Sequence, residues 1–395
     1  MNKITRDSCV LSGFSDFEYL YTFQRFPMFM GATDQNPSLD KFTELKWVYS
    51  KGTGIIQLAE MPELSDLYIE QTTTKAIGEV WQEHHRAFAA FVKQFSPAAI
   101  LEIGGAHGIL SVEYKKLAGE INWRIIEPNP APVPECTAEF IASFFDSNTK
   151  VIENIDVVVH SHTMEHIYFP MEFLANIASQ MIIGQLMIFS IPNLEQWFIK
   201  GHANALNLEH TYLLTFEVAQ EMLIRNGFSI LDVENFRNSH SIFIAAKFTG
   251  TKCALKNDDF TISNEFPRIF RQNLEIKKNF ASECNLRKIQ DGTNVYIFGA
   301  HVFSQQLLNL GLREGSIKGV LDNDQAKIGR RLYGTMLEIH SPKVLEEKPS
   351  AIVILDAGEY SNEIEEQLMK LQTRVEVWKP DPPSLLGHFQ NSWDS

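Results

Sequence analysis

The residues best able to do chemistry gather at one glycine turn. Glu102, Gly104, Gly105 and Gly108 lie in ILEIGGAHG, at the end of an apolar run, with the spacing E-x-G-x-x-x-G. Glycines at such a turn let the backbone come close to a ligand. A pyrophosphate cradle wants G-x-G-x-x-G, yet Ala106 and Ile109 stand where its second and third glycines belong. An acidic strand end suits a phosphate-free cation, such as a sulfonium, better than an anion. Glu127, 19 residues after Gly108 and followed by Pro128, falls at the tip of the next apolar run. A carboxylate there accepts both hydroxyls of a ribose. The plainer alternative is a glycine turn that holds no ligand.

Histidines supply the second set of candidates. His210 follows Glu209, and a neighbouring carboxylate would keep the imidazole pKa from falling, so His210 is the candidate general base. The alternative is a histidine on a surface loop. His162 and His166 are four apart, a spacing that places two metal ligands on one helical turn, but no third ligand is evident and no metal is expected. His160 and Ser161 are assigned to the wall of the cofactor crevice. His84 and His85 fall on the polar side of an amphipathic stretch and are expected in solvent.

Alternating strand and helix patterns must position these groups. Apolar runs at 98–105, 123–128, 155–162 and 185–193 read as buried strands, with helices over 74–95, 109–118, 170–182 and 215–226. SILDVENF (229–236) and SIFIAAKF (241–248), joined by RNSH, read as an antiparallel hairpin added to a parallel sheet. A polar linking helix over 258–290 leads to a second α/β unit with strands at 294–300, 317–324 and 351–357. That unit has its own glycine turn, with Gly299 followed by Asp322 at the next strand tip. The pair fits a nucleotide ribose or a purely structural lobe equally well. The last 15 residues read as an irregular tail. The fold class is therefore α/β, with two Rossmann-like sheets behind an irregular N-terminal region.

Composition narrows the function classes. The 395 residues carry 35 Lys+Arg against 49 Asp+Glu, a net charge of −14. No basic cluster suits a nucleic-acid backbone. Four separated cysteines, Cys9, Cys136, Cys253 and Cys284, form no CxxC pair and fit a reducing compartment. The N-terminus lacks the pattern of a secretory signal, and no apolar run approaches membrane-spanning length. The expectation is a cytoplasmic protein with a small-molecule partner, no nucleic acid and no membrane; the oligomeric state is not legible.

Glu102, Gly104, Gly108, Glu127 and HSHTMEHIYFP (160–170) resemble the motifs of class I S-adenosylmethionine methyltransferases, which carry a terminal antiparallel hairpin. WVYSKGTGIIQLAEMPE (47–63), NLEHTYLLT (207–215) and the segment from VYIFGAHVF to LEIHSP resemble the three-part nucleotide-sugar C-methyltransferases, which methylate C3 of a keto-deoxysugar. The resemblance implies a zinc-module-like region over 1–70, a methyltransferase domain over 71–252, a helical linker over 253–290 and a Rossmann-like domain over 291–395. It implies S-adenosylmethionine as cofactor and Tyr68 near its amino-acid end. It also implies Asn207 and His240 at the acceptor. The departures are specific. The four cysteines of the family's zinc site align with Cys9, Ser12, Ser50 and Thr53, and one thiolate cannot build a closed tetrahedral site. The module is expected to persist without metal, held by Phe14, Phe17, Tyr19, Tyr21, Phe23, Phe26 and Phe29. Asn207 and Leu208 replace the Tyr and first His of the family's Y-H-E-H, so Asn207 is left as a weaker donor to a developing oxyanion. The helix after the second strand is expected to be missing from EPNPAPVPE. The implied function is methyl transfer to a nucleotide-linked keto-sugar, with O- or N-methylation of another metabolite, or a binding protein without turnover, as the alternatives.

Overall fold

Among the described residues seven strands form the central sheet. They are β1 (Ala99–Ile103), β2 (Asn122–Ile126), β3 (Glu139–Ile141), β4 (Val157–Ser161), β5 (Leu186–Pro192), β6 (Phe228–Phe236) and β7 (Ser241–Phe248). Their order is β6-β7-β5-β4-β1-β2-β3. Pairs from β5 through β3 run parallel, while β7 runs antiparallel to both β5 and β6. This is the class I methyltransferase topology. The direction of winding reverses between β1 and β4, which places the ligand crevice of such a sheet at their C-terminal ends. The structure, a computed structural model, describes residues 3–67, 78–237, 240–252, 260, 262, 265–287, 293–348, 350–371 and 374–382. Tyr68 lies outside them.

Helices cover both faces of the sheet: α1 (Glu79–Lys93), α2 (Ile109–Ala118), α3 (Pro170–Gln180), α4 (Leu194–Ile199) and α5 (Phe216–Arg225). In α1, His84, Phe88, Phe91 and Val92 are all buried, so His84 is not in solvent as its polar neighbours imply. Residues 127–138 contain no helix, as the four prolines dictate. The short edge strand β3 and the six-residue α4 are additions that the sequence pattern does not show.

The N-terminal region is an antiparallel sheet of Phe17–Pro27, Phe42–Ser50 and Ile56–Leu58. The four positions aligned with zinc ligands still form two facing turns. Gly13 N donates to Cys9 O at 3.0 Å and Gly54 N to Ser50 O at 2.8 Å. Across them Cys9 Sγ lies 3.4 Å from Thr53 Oγ1, and Ser50 Oγ donates to Asp16 Oδ1 at 2.7 Å. Side-chain hydrogen bonds thus stand where the resemblance places a metal. Phe23 and Phe26 are buried there, but Phe14 and Tyr19 are exposed and do not hold the region together.

The long helix α6 (Phe266–Leu286) ties the second sheet on. Its first half (Phe266, Ile269, Phe270) packs into the core under the central sheet, and its second half (Phe280, Ala281, Cys284) into the core of the C-terminal sheet. That sheet has β8 (Asn294–Phe298), β9 (Gly319–Leu321), β10 (Ile339–His340), β11 (Ser350–Leu355) and β12 (Arg374–Trp378), all parallel in the order β10-β9-β8-β11-β12. α7 (Val302–Asn309) and α8 (Ser361–Met369) cover it. β12 lies in a stretch whose alternation runs to the edge of the expected tail. Ala32–Thr33 pairs with Arg331–Leu332, and Arg331 makes a bidentate contact with Asp40 at 2.6 and 2.7 Å, so the N-terminal region is strapped to the C-terminal sheet. Among the described residues no helix is long and apolar enough to cross a membrane.

Lys277 of α6 and Asp356 after β11 form a buried ion pair at this joint. Lys277→Met strands Asp356 without its cation and is expected to cost about 3–5 kcal/mol in chemical denaturation. The double variant with Asp356→Leu is expected to recover most of that loss.

Candidate active site

Two cavities flank the turn after β1. The first, about 440 Å³, is lined by Gly104, Ala106, Glu127, Pro128, Phe144, Phe145, Asp146, His162, Thr163, His166, Phe173 and Glu209, among others. Glu127 accepts from Asn129 N at 3.0 Å through Oε1 and from Ala106 N at 3.3 Å through Oε2, so its carboxylate is held at the β2 tip and faces the cavity. Phe144 and Phe145 offer aromatic faces and Asp146 an acceptor. All three follow β3, and the only sequence signal for them is the FFD triplet.

The glycines earn their places one by one. Gly104 has φ +79°, and a Cβ on it would meet Thr163 Oγ1 at 2.8 Å. A Cβ on Gly105 would meet the Glu102 carboxyl and Ile125 at 2.7 Å. Gly108 lines neither cavity; it caps α2 with φ +67° and packs on Cys136. Glu102 is buried, and Trp123 Nε1 donates to its Oε2 at 2.8 Å. Burial pushes the Glu102 carboxyl up to about 7, opposed by the Trp123 indole and helped by the charge of Glu127.

The second cavity, about 590 Å³, is a cleft between the central sheet and the C-terminal sheet. Glu102, Gly105, His107 and Ser161 line one wall, Trp81, Trp197 and His240 another, and His301, Phe303, Lys327, Arg330 and Tyr360 the far side. The N-terminal loop Phe29–Ala32 closes one end. Lys327 Nζ contacts Asp322 Oδ2 at 3.1 Å, and Arg330 Nε donates to Asp34 Oδ2 at 2.9 Å.

Among the described residues four, Gly104, Ala106, His162 and Glu209, line both cavities. Gly104, Ala106 (φ +23°) and His162 (φ +47°) all have positive φ. Such backbone strain in non-glycine residues gathers where function holds it in place.

Behind this junction lies a cluster of carboxylates and imidazoles. His166 Nδ1 faces Glu209 Oε2 at 3.8 Å, and His166 Nε2 faces Glu165 Oε1 at 3.5 Å. Glu165 is fully buried, and among the described residues neither of its oxygens has a hydrogen-bond donor. Burial lowers the His166 pKa, but Glu165 and then Glu209 outweigh it and the net shift is upward. His210 sits one layer back. Its Nδ1–H donates to Ala205 O at 3.3 Å and its ring packs edge-on to His166 at 5.3 Å. Burial, reinforced by His166, pushes it down to about 3. Glu209 therefore partners His166 and not its sequence neighbour, and it does not hold the His210 pKa up. Glu165, His166 and His210 offer ligand atoms within 4.8 Å of one another. Ligands on a tetrahedral zinc with bonds of about 2.1 Å stand closer, about 3.4 Å apart, so this set would have to contract to hold an ion.

Several expected site residues have other work. His160 is fully buried, stacked on Phe189 at 4.7 Å, and lines neither cavity. Strand alternation turns it away from the crevice that Ser161 faces. Asn207 Oδ1 accepts from Glu209 N at 2.7 Å and His210 N at 2.9 Å, while its Nδ2 donates to Asn204 O at 3.0 Å. It braces the loop and lines neither cavity, so its amide does not reach an oxyanion there. Asp322 accepts from Ala300 N at 2.8 Å, Asp324 N at 2.9 Å and Lys327. Neither Asp322 nor Gly299 lines the cleft; His301 and Phe303 from the same turn do.

Residues 259–378 match the C-methyltransferase C-terminal domain family. The chain thus carries a methyltransferase-family domain behind a class I methyltransferase sheet. No curated protein matches the chain. Among solved structures, an O-methyltransferase family protein from Burkholderia thailandensis is 10% identical over 43% of this chain and 57% of that one, with a TM-score of 0.34. The 1,6-didemethyltoxoflavin-N1-methyltransferase of the same organism is 16% identical over 43% and 81%, with a TM-score of 0.34. Magnesium protoporphyrin IX methyltransferase from Synechocystis is 14% identical over 45% and 87%, also at 0.34. The chain spans little more than half the length, 57%, of the first of these.

Proposed function

We propose that this protein is an S-adenosylmethionine-dependent methyltransferase that acts on a nucleotide-linked keto-sugar in a cytoplasmic setting, with Glu209 receiving the acceptor's proton. One observation carries the reading: an acid- and aromatic-lined cavity of adenosyl size meets a larger cleft at Gly104, Ala106, His162 and Glu209. The three-part layout expected from the sequence, over 1–70, 71–252 and 291–395 with the linker 253–290, belongs to the same proposal. It is supported by the family match at 259–378.

The donor brings a methyl group already activated on a sulfonium. The chain's own residues bind and orient. Glu127 accepts the ribose hydroxyls, Phe144 and Phe145 flank the adenine, and Asp146 accepts from its amino group. Glu102 and Glu209 set negative charge beside the sulfonium. In the cleft, Lys327 and Arg330 face the acceptor's phosphates while Trp81 and Trp197 pack on its sugar. Glu209 takes the proton released beside the ketone, and His166, backed by His210, stabilises the carboxyl through its transfer. A hydroxyl acceptor is the second reading, favoured by the place of Asn207, which braces its loop and lines neither cavity, so its amide does not reach an enolate oxygen in the cleft.

The test is a panel of nucleotide keto-sugars and the corresponding sugars, with donor labelled in the methyl group and products read by mass. The reading expects methylation of a keto-sugar, and deuterium exchange at the carbon beside the ketone without donor. Exchange absent with methylation on oxygen selects the second reading. No methylated product from any acceptor contradicts both.

Glu102 adds a pH dependence. Its folded-state pKa, about 7, lies above the ordinary carboxyl value of 4.5. The cationic donor prefers the ionised form, so donor affinity is expected to rise with pH across about 6–8 in calorimetry. Glu102→Gln should flatten that rise. Stability moves the other way. A raised carboxyl pKa means that the folded state loses stability as pH climbs from about 4.5 to about 7. Glu102→Gln is therefore expected to melt higher than the wild type at pH 8 and equal to it at pH 4.

A further inference from the structure

A hydrogen-bonded trio of His162, Ser241 and His240 leads from beside the buried Glu165 to the acceptor cleft. Ser241 Oγ lies 2.9 Å from His162 Nε2 and 2.7 Å from His240 Nδ1. His162 Nδ1 faces Glu165 Oε1 at 3.7 Å. His240 lines the cleft, whereas Ser241 is fully buried and lines neither cavity. Burial lowers the pKa of His162 and takes that of His240 down to about 4, so both rings are neutral at neutral pH and each carries one N–H.

The proton order then follows. A hydroxyl has one hydrogen, so Ser241 donates to one imidazole and accepts from the other. A carboxylate oxygen facing His162 Nδ1 selects the Nδ1–H tautomer, because a lone pair there would be repelled. His162 Nε2 is then the acceptor, and Ser241 O–H donates to it. Only lone pairs of Ser241 remain toward His240, whose Nδ1–H must donate. The lone pair of His240 is left on Nε2.

We propose that Glu165, His162 and Ser241 set His240 as the proton-accepting atom of the cleft wall, through Nε2, so that the acceptor is held by one of its hydroxyl groups there. The assignment deepens the proposed function, since a sugar presents hydroxyls beside the reacting carbon. When the hydroxyl itself is the reacting group, its proton passes to His240 Nε2, the His240 Nδ1 proton to Ser241, the Ser241 proton to His162 Nε2 and the His162 Nδ1 proton to Glu165. Every group ends with its valences filled. His240 contacts the acceptor; Ser241, His162 and Glu165 are positioning residues.

The test is nitrogen-15 NMR of histidine-labelled full-length protein, which needs neither donor nor acceptor. The expected spectrum shows His240 protonated at Nδ1 and bare at Nε2. Glu165→Gln, whose amide can donate to His162 Nδ1, is expected to reverse the chain and move the proton to Nε2 of His240. Ser241→Ala, which alters no cleft-lining atom, is expected to lower kcat/KM for the methylated acceptor about tenfold, the worth of one net hydrogen bond, with S-adenosylhomocysteine affinity unchanged. An Nε2–H tautomer in the wild type, or a His240 tautomer indifferent to Glu165→Gln, overturns the chain. The spectrum is independent of turnover, so its failure leaves the methyltransferase reading standing, and the failure of that reading leaves the spectrum unchanged.

Discussion

Glu209→Gln is expected to lower turnover by about 10²–10⁴-fold while affinity for the uncharged S-adenosylhomocysteine changes little. The carboxylate stands where the two cavities meet and is the junction's one acidic side chain that faces both. Removing a positioned proton acceptor costs about this much. The glutamine keeps the shape, and its backbone N–H can still donate to Asn207. His210→Ala acts from behind, by loosening His166, and is expected to cost about tenfold. Its pKa near 3 makes it a poor proton acceptor in its own right. Single-turnover rates at saturating donor separate the two variants. Equal losses would return the base role to His210.

Glu127→Ala is expected to weaken donor binding by about 10–100-fold, with a smaller loss for Glu127→Gln. Charge-assisted hydrogen bonds to a carboxylate are each worth about 1.5–3 kcal/mol. The carboxylate is already oriented by Asn129 N and Ala106 N, so little ordering remains to be done on binding. Alanine also frees Ala106, one of the strained junction residues. Calorimetry with S-adenosylhomocysteine measures the loss. A variant that binds as tightly as the wild type would remove Glu127 from the ribose.

The sheet was legible where its strands are buried on both faces. The runs at β1, β4 and β5 are long and apolar, and the polar RNSH segment between two apolar runs marks the β6–β7 hairpin. β3 escaped because one exposed and two half-buried edge residues make no pattern. β12, RVEVW, does alternate and could have been read. At the candidate site, Gly104 and Gly105 were legible from spacing because local backbone geometry demands them, and Glu102 and Glu127 because they sit at the ends of neighbouring strands; Gly108 was read with them but lines neither cavity. Phe144–Asp146 and the Phe29–Ala32 loop enter by long-range packing that no local rule shows. His84 had a signal. It is four residues before Phe88, on the apolar face, and bonds Ser190 Oγ at 2.9 Å. The pairing of Glu209 with His166 and not His210 had none, because the loop that Asn207 braces turns adjacent side chains apart.

Isothermal titration of the full-length protein with S-adenosylhomocysteine tests the central claim most directly. The account predicts one site per chain, with affinity lost in Glu127→Ala and kept in Glu209→Gln. No heat of binding, or a site that Glu127→Ala leaves intact while NAD fills it, would contradict the account.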